Sequence, residues 1–411
     1  LFGFQMRVLY LAPTINKFAV SEPFVAFKWA EALSEIVDLT ILAFHPSDPA
    51  HGPIADHLPK ARLVTWPKPQ LPKALFRLEA MLKPTYPVYS AKVRRWLRAA
   101  ATQGEQFDIA HQIMPQASRY ATPLRGMGIP YVMGPLGGSL TTPETFRAET
   151  QESESWITSL RRVDTLRFRY DPALRASYRE ADLILGVAPY VEERLAPVGL
   201  KRFEPVLELG IDGLPPLPAR AGREGPLRLL HAGRGVRTKG LRDAVRAMAH
   251  LRDLDVELIS AGKGPDIALC EAEARALGVA DRVTFKGQLP RSDVDRLYAE
   301  ADIFVFPSFR EPAGNVIYEA MSHGLPVIGA DRGGPAAILD DSFGVRIPVT
   351  EPETYARDIA RAVRDLATDA DRRTCMGAAA RATLERDGLW ATKARRLKAL
   401  YEDVIEARAR T

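Results

Sequence analysis

"DIFVFPSFREPAGNVIYEAMSHGLPVIGA", residues 302–330, reads as strand, loop, helix and strand. The first and last runs are short, continuous and apolar, as strands buried on both faces should be. Between them a helix is expected from about Asn315 to His323, stopped by Gly324 with Pro326 just beyond. Strand, helix and strand in that order are the repeating unit of a parallel sheet. The stretch also carries two glutamates eight positions apart, Glu311 in the loop at a strand's carboxyl end and Glu319 inside the helix.

The same alternation extends in both directions. Downstream of residue 226 the strands read "LRLLHAG", "DVELISAG", "RVTFKG", "DIFVFPS", "LPVIGA" and "GVRIPV". In the first half they read "MRVLYLAP", "VDLTILAF", "ARLVTW", "FDIAHQI", "IPYVMG" and "ADLILGV", with helical stretches such as "EPFVAFKWAEALSE" between them. Between the two series lies the Pro/Gly-rich "GIDGLPPLPARAGREGP", residues 210–226, which reads as a hinge. The expected architecture is α/β: a Rossmann-like domain over 6–200, a linker over 201–226, and a second Rossmann-like domain over 227–389. The two are expected to face each other across a cleft, with the long basic helix 390–411 crossing back to the first. Ligands of open parallel sheets sit beyond the carboxyl ends of the strands, so the chemistry is sought in the loops there.

Bulk composition bounds the function. The chain has 411 residues, 46% hydrophobic and 26% charged, which are globular values for two domains. Lys and Arg number 56 against 51 Asp and Glu, a net charge of +5, too weak to imply nucleic acid without a concentrated patch. Cys270 and Cys375 are the only cysteines, which rules out a disulfide framework and a thiolate zinc cage and fits a reducing cytoplasm. No apolar run approaches the roughly 18 residues that a bilayer span needs. The leading "LFGFQ" before Met6 is read as foreign to the fold and excluded.

Three loops carry candidate chemistry. In the quoted stretch, Ala313, Gly314 and Asn315 open a helix, where unpaired N–H groups and the dipole favour an anion. Glu311 is placed to accept from sugar hydroxyls and Glu319 to bind a ribose diol; alternatively, one is a loop charge and the other a solvated helix residue. In "LLHAGRGVRTKGL", residues 229–241, Gly233, Arg234 and Gly235 follow a strand and Lys239-Gly240 opens a helix. Arg234 and Lys239 bring two positive charges to the position where dinucleotide folds hold phosphates, although neither GxGxxG nor a P-loop is present. In "YVMGPLGGSLTTPETF", residues 131–146, Gly134, Gly137 and Gly138 follow a strand and let a backbone approach a ligand, or simply make a tight turn. Ser139 comes next. His111 sits at another strand's carboxyl end and is either structural or an acid–base group. "DVD" at 293–295 is assigned to a helix N-terminal box with Ser292 and "DLD" at 253–255 to a strand entry, so no bound metal ion is expected.

Assembled, these residues make the chain resemble the retaining nucleotide-sugar glycosyltransferases of the GT-B fold, in particular family 4. The resemblance covers nearly everything after Met6 and is strongest from about 227 to 345. Glu311 and Glu319 match the family's paired glutamates, and Gly233-Arg234 with Lys239-Gly240 its diphosphate-binding "GR…KG". "AGKGP" (261–265), "RVTFKGQLP" (282–290) and "GLPVIGADRGGP" (324–335) look like further landmarks. Two departures stand out. The loop after the first strand, "PTINKFAVSEP", lacks the usual paired glycines, and "EPAGN" replaces the common "EGFG".

The resemblance implies a catalytic set of Arg234, Lys239 and Glu311. It implies donor contacts from Gly233, Ala313, Gly314, Asn315, Val316 and Glu319, with the base near Lys286, Gly287 and Gln288. On the acceptor or sugar side it implies Gly137, Gly138 and Ser139, and the residue pattern itself adds His111 there. The implied reaction is retaining transfer from a nucleoside diphosphate sugar, UDP by family frequency, to a glycan or lipid-linked acceptor, with no metal and no other cofactor. Rival readings are an epimerase or hydrolase of the same architecture and a non-catalytic sugar-nucleotide-binding partner. The basic, aromatic-bearing stretches 71–98 and 159–179 either lie on an anionic membrane at its inner face or pack as ordinary helices.

Overall fold

The computed structural model describes residues 5–19, 21–45, 53–70, 72, 83–138, 140–150, 166–217 and 225–410. The chain divides into two compact units, the first made of Leu1–Gly138, Trp156–Glu208 and Trp390–Thr411, the second of Ser139–Ser155 and Leu209–Leu389.

Among the described residues, the first unit holds a seven-stranded sheet in the order β3-β2-β1-β4-β5-β6-β7. Its strands are β1 (Arg7–Leu11), β2 (Asp38–Phe44), β3 (Arg62–Trp66), β4 (Ile109–Gln112), β5 (Tyr131–Leu136), β6 (Leu183–Gly186) and β7 (Phe203–Pro205). Every pairing is parallel. The helix Trp390–Ala409 belongs to this unit and packs on the helix Glu22–Ser34, where Trp390 meets Trp29 edge to face with centroids 5.5 Å apart. Trp29 Nε1 donates to the Glu208 carbonyl at 2.8 Å, which satisfies the one polar group of a fully buried indole.

Among the described residues, the second unit holds a six-stranded parallel sheet in the order β10-β9-β8-β11-β12-β13. These are β8 (Leu227–Ala232), β9 (Val256–Ala261), β10 (Val283–Phe285), β11 (Ile303–Phe306), β12 (Val327–Ala330) and β13 (Gly344–Ile347). Side chains alternate between two cores, one on each face of the sheet. Leu229, Val305 and Ile328 enter one core, and Leu230, Phe304 and Val327 the other. Continuous apolar strands are the consequence, which is why the sequence pattern was so plain. The order reverses between β8 and β11, so the loops leaving those two strands diverge there and define the switch point of the sheet.

Several expectations are corrected. Residues 140–150, expected in the first domain, lie in the second unit, where Phe146 is buried against Phe309 with ring centroids 4.4 Å apart. The expected linker 201–226 begins with edge strand β7 and stays in the first unit as far as Glu208. The strand β5 runs on to Leu136, so Gly134 lies within it. The helix at 291–300 begins at Arg291 after Pro290 without a side-chain cap, so Ser292 is not its capping residue. The two "DVD" carboxylates are instead paired with Arg296 and Arg291.

Candidate functional site

Two loops meet at the switch point of the second sheet. The one after β8 runs through Gly233, Arg234 and Gly235 into a short 3-10 turn, Arg237–Lys239. The one after β11 runs from Pro307 to Gly314 and opens the helix Asn315–Ser322. Their backbones are fitted tightly together. Gly240 has φ +78°, and a Cβ there would lie 2.0 Å from the Pro307 carbonyl oxygen, so only glycine fits. Ser308 Oγ donates to the Thr238 carbonyl at 2.9 Å, and His231 Nε2 donates to the Lys239 carbonyl at 3.0 Å. Burial holds His231 down at about 4, so its neutral ring keeps that single proton for the bond.

Across this junction Lys239 Nζ donates to Glu311 Oε2, both side chains being about seven-eighths buried at 13% and 14% exposure. Glu311 Oε1 also faces the backbone N–H groups of Ala313 and Gly314, at 3.4 and 3.3 Å. The carboxylate thus sits at its own helix N-terminus, on long bonds, where the dipole favours negative charge. An ammonium has three donors, so Lys239 can hold Glu311 and still meet a phosphate. Behind the loop, Gly334 N–H donates to the Glu311 carbonyl at 2.8 Å, and Cβ atoms at Gly333 and Gly334 would strike the Glu311 and Ala313 carbonyls. The "RGGP" stretch is therefore the seat of the Glu311 loop.

Glu319 lies one turn further along the helix and accepts from Arg291 Nη1 at 2.6 Å. Arg291 is 62% exposed, so the pair sits at the surface. Arg234 is exposed, and among the described residues its side chain has no carboxylate partner. Val316 is half-buried and Asn315 exposed at the helix start. Lys286 and Gln288 are exposed beyond β10, with Gly287 between them. Their loop is tied to the others through backbone bonds: Gly287 accepts from Gly262 at 2.8 Å, and Gly233 N–H donates to the Ala261 carbonyl at 3.0 Å. One connected set of loops therefore carries Arg234, Lys239, Lys286, Gln288 and Glu311 on one edge of the second sheet.

The predicted first-unit residues fare differently. His111 is fully buried with both ring nitrogens engaged, one by Tyr401 Oη and the other by the Gly134 carbonyl at 2.6 Å. A carbonyl only accepts, so Nε2 carries the proton and Nδ1 accepts from Tyr401. Burial lowers this histidine to about 4. It is a core residue rather than an exposed acid–base group. Gly134 is explained by the neighbouring strand, since a Cβ there would lie 2.2 Å from the Leu185 carbonyl oxygen. Gly137 and Gly138 follow β5 as expected, Gly138 accepting from Tyr190 Oη at 3.2 Å. Ser139 lies outside the described residues.

Sequence reasoning missed Arg237. Its guanidinium is 4% exposed, forks onto both oxygens of Asp243 at 2.6 and 2.8 Å, and donates from Nε and Nη2 to Glu149 at 2.8 and 2.6 Å. Burial pulls the group down, but the two carboxylates outweigh it and hold it charged above its ordinary value. Burial raises Glu149, but Arg246, whose Nη2 donates to its Oε1 at 2.9 Å, and Arg237 outweigh that and hold it below its usual range. Among the described residues no group of three or more His, Cys, Asp or Glu is gathered as a metal would require.

Residues 218–383 match the family described as "Glycosyl transferases group 1". That stretch is a group 1 glycosyltransferase domain. The group 1 domain holds all of Arg234, Lys239, Glu311 and Glu319. Among curated relatives, a D-inositol 3-phosphate glycosyltransferase of Corynebacterium kroppenstedtii is 35% identical over 42% of this chain and 40% of its own length. A GDP-mannose-dependent alpha-(1-6)-phosphatidylinositol monomannoside mannosyltransferase of Mycolicibacterium smegmatis is 29% identical over 57% of this chain and 66% of its own. The chain thus spans less than two thirds of the length of these relatives. Among solved structures, Anabaena HepE in complex with UDP superposes with a TM-score of 0.66 at 18% identity, over 97% of this chain and 100% of that one. The fold, with the group 1 domain inside its second unit, is of the GT-B kind.

Proposed function

We propose that this chain is a glycosyltransferase of family 4 type that moves a sugar from a nucleoside diphosphate sugar to a glycan or lipid-linked acceptor, with retention at the anomeric carbon. The observation that carries the reading is the Lys239–Glu311 pair at the switch point of the group 1 domain. As the bond to the anomeric carbon breaks, charge grows on the departing diphosphate. Lys239, Arg234 and the N–H groups at the start of the helix Asn315–Ser322 are placed to meet it. Glu311 grips donor-sugar hydroxyls and fixes Lys239, while Glu319 exchanges its surface pairing with Arg291 for the ribose diol. A phosphate oxygen of the leaving group takes the acceptor proton, so the scheme calls on neither a side-chain base nor a metal ion.

The fold-mate bound to UDP supports a uridine donor, and the GDP-mannose-dependent relative makes guanosine the alternative to test beside it. The enclosure of His111 takes away the acid–base candidate of the epimerase or hydrolase reading. Residues 71, 73–82 and 159–165 of the two basic stretches lie outside the described residues; among the described ones, Leu166 and Tyr170, 56% and 66% exposed beside Arg167 and Arg169, support contact with an anionic membrane. By contrast, the helix Tyr86–Thr102 spends Tyr86, Tyr89, Val93 and Leu97 on the core. Among the described residues no helix is long and apolar enough to cross a membrane.

The test is to incubate the purified chain with labelled UDP- and GDP-sugars, with and without acceptor extract. Label transfer that requires extract supports the proposal. Donor breakdown without extract favours a hydrolase, binding without turnover favours a silent partner, and no binding of either nucleotide overturns the reading.

A further inference from the structure

Glu149 does not belong to the donor loops, yet it is bonded to the turn that carries Lys239. It reaches the group 1 domain from residues 140–150, which in sequence follow β5 of the other sheet. We infer that Glu149 and Arg237 form a positioning pair that presents Lys239 to the donor diphosphate, which makes this excursion a working part of the donor-binding unit. The inference rests on the proposed function.

Arg237 and Lys239 are the two ends of one three-residue turn, so a change in the first displaces the second. All three guanidinium nitrogens of Arg237 are committed to Glu149 or Asp243. Its Cζ lies 5.2 and 5.1 Å from the ring centroids of Phe146 and Phe309, which pack on each other. Phe309 is two residues from Glu311, so the same stack touches both donor loops. Phe146 comes from the excursion, as does Glu149. Glu149 is further fixed by Arg246, whose Nη2 donates to its Oε1 at 2.9 Å.

Buried ion pairs are poor evidence for stability as such and are well suited to fixing one geometry out of several. Asp243 alone would keep Arg237 charged and bidentately paired. The second carboxylate, brought from 88 residues away, adds orientation on the side that Asp243 leaves open.

The experiment measures nucleoside diphosphate binding by titration calorimetry with UDP and GDP, beside thermal midpoints, for the full chain. Glu149→Gln keeps the shape, leaves Arg237 paired with Asp243, and is expected to weaken binding of the preferred nucleotide about tenfold. Glu149→Asp, which keeps the charge on a shorter arm, is expected to fall between and serves where the Gln variant folds poorly. The decisive comparison is on a Lys239→Ala background, where Glu149→Gln should weaken binding no further, because it acts through Lys239. Asp253→Asn, at the exposed pair with Arg364, serves as a control that leaves affinity alone. A lowered midpoint with unchanged affinity, or additive losses in the double variant, overturns the positioning role. If the wild type binds neither nucleotide, the donor reading falls and the positioning role falls with it.

Discussion

Lys239 and Glu311 are 72 residues apart in sequence and form an ion pair across the two loops that diverge at the switch point of the second sheet. A buried pair is a liability for stability when one member is removed, because the other is left charged and desolvated. Here both groups also face the place where a diphosphate is proposed to sit.

Lys239→Ala is accordingly expected to reduce turnover by on the order of 10²–10³, the loss seen when a single donor to developing negative charge is deleted. Circular dichroism should remain near wild type, since the turn is held by Gly240, Ser308 and His231 rather than by the ammonium, while the thermal midpoint should fall because Glu311 is left without its partner. Turnover within a fewfold of wild type in a donor-consumption assay would remove Lys239 from the mechanism.

Glu319 is a different case. Its partner Arg291 is largely exposed, and such pairs are worth about 0–1 kcal/mol, so a ribose diol can displace it. Glu319→Ala should raise the donor KM about tenfold with little change in kcat, and it should abolish any preference for the ribo over the 2′-deoxy donor. A retained preference for the ribose hydroxyl in the variant would place that contact elsewhere.

His111 gives the first unit a pH dependence. Its pKa is about 4 in the folded chain, against an ordinary value of 6.5. Between those values the unfolded chain binds the extra proton, so the contribution is full above about 6.5 and is lost as pH falls toward 4. The loss over that interval is about 3 kcal/mol for this one group. His111→Gln can donate to the same carbonyl without titrating. Its denaturation midpoint should therefore vary less with pH from 6.5 to 4 than the wild type's, and parallel curves would show that the histidine is not the group responsible.

Why the strands were legible and much of the site was not follows from where the information lies. A strand such as Ile303–Phe306 is buried on both faces, so every residue must be apolar and the signal is local. Strand β7 gave no such signal because it has three residues, ends in proline and lies at the sheet edge. Lys239 and Glu311 were legible because each sits at a loop-to-helix transition marked by a glycine, Gly240 next to the first and Gly314 three residues after the second. The roles of His111 and Arg237 were not, because they depend on Tyr401 and Glu149, 290 and 88 residues away. Gly134 was read as room for a ligand. The room is taken by the backbone of β6, a neighbour that local sequence does not reveal.

The glycines after β8 and β9 allow a last prediction. Gly262 has φ +137°, and a Cβ there would lie 1.8 Å from the Gly233 carbonyl oxygen, which is backbone and cannot swing aside. Gly278 also has positive φ, +65°, but the nearest atom to its Cβ would be the tip of Arg252 at 3.8 Å. Gly278→Ala should therefore cost only the conformational penalty of about 1–2 kcal/mol. Gly262→Ala must push the Gly233 loop away from β9, and a loss above about 4 kcal/mol is expected in denaturant titrations. Because Gly233 leads into Arg234, the Gly262 variant should also bind nucleoside diphosphate more weakly under conditions where it remains folded, while the Gly278 variant binds as wild type. Equal stability losses for the two variants, or undiminished nucleotide affinity in folded Gly262→Ala, would show that the close approach of these loops is not what shapes the site.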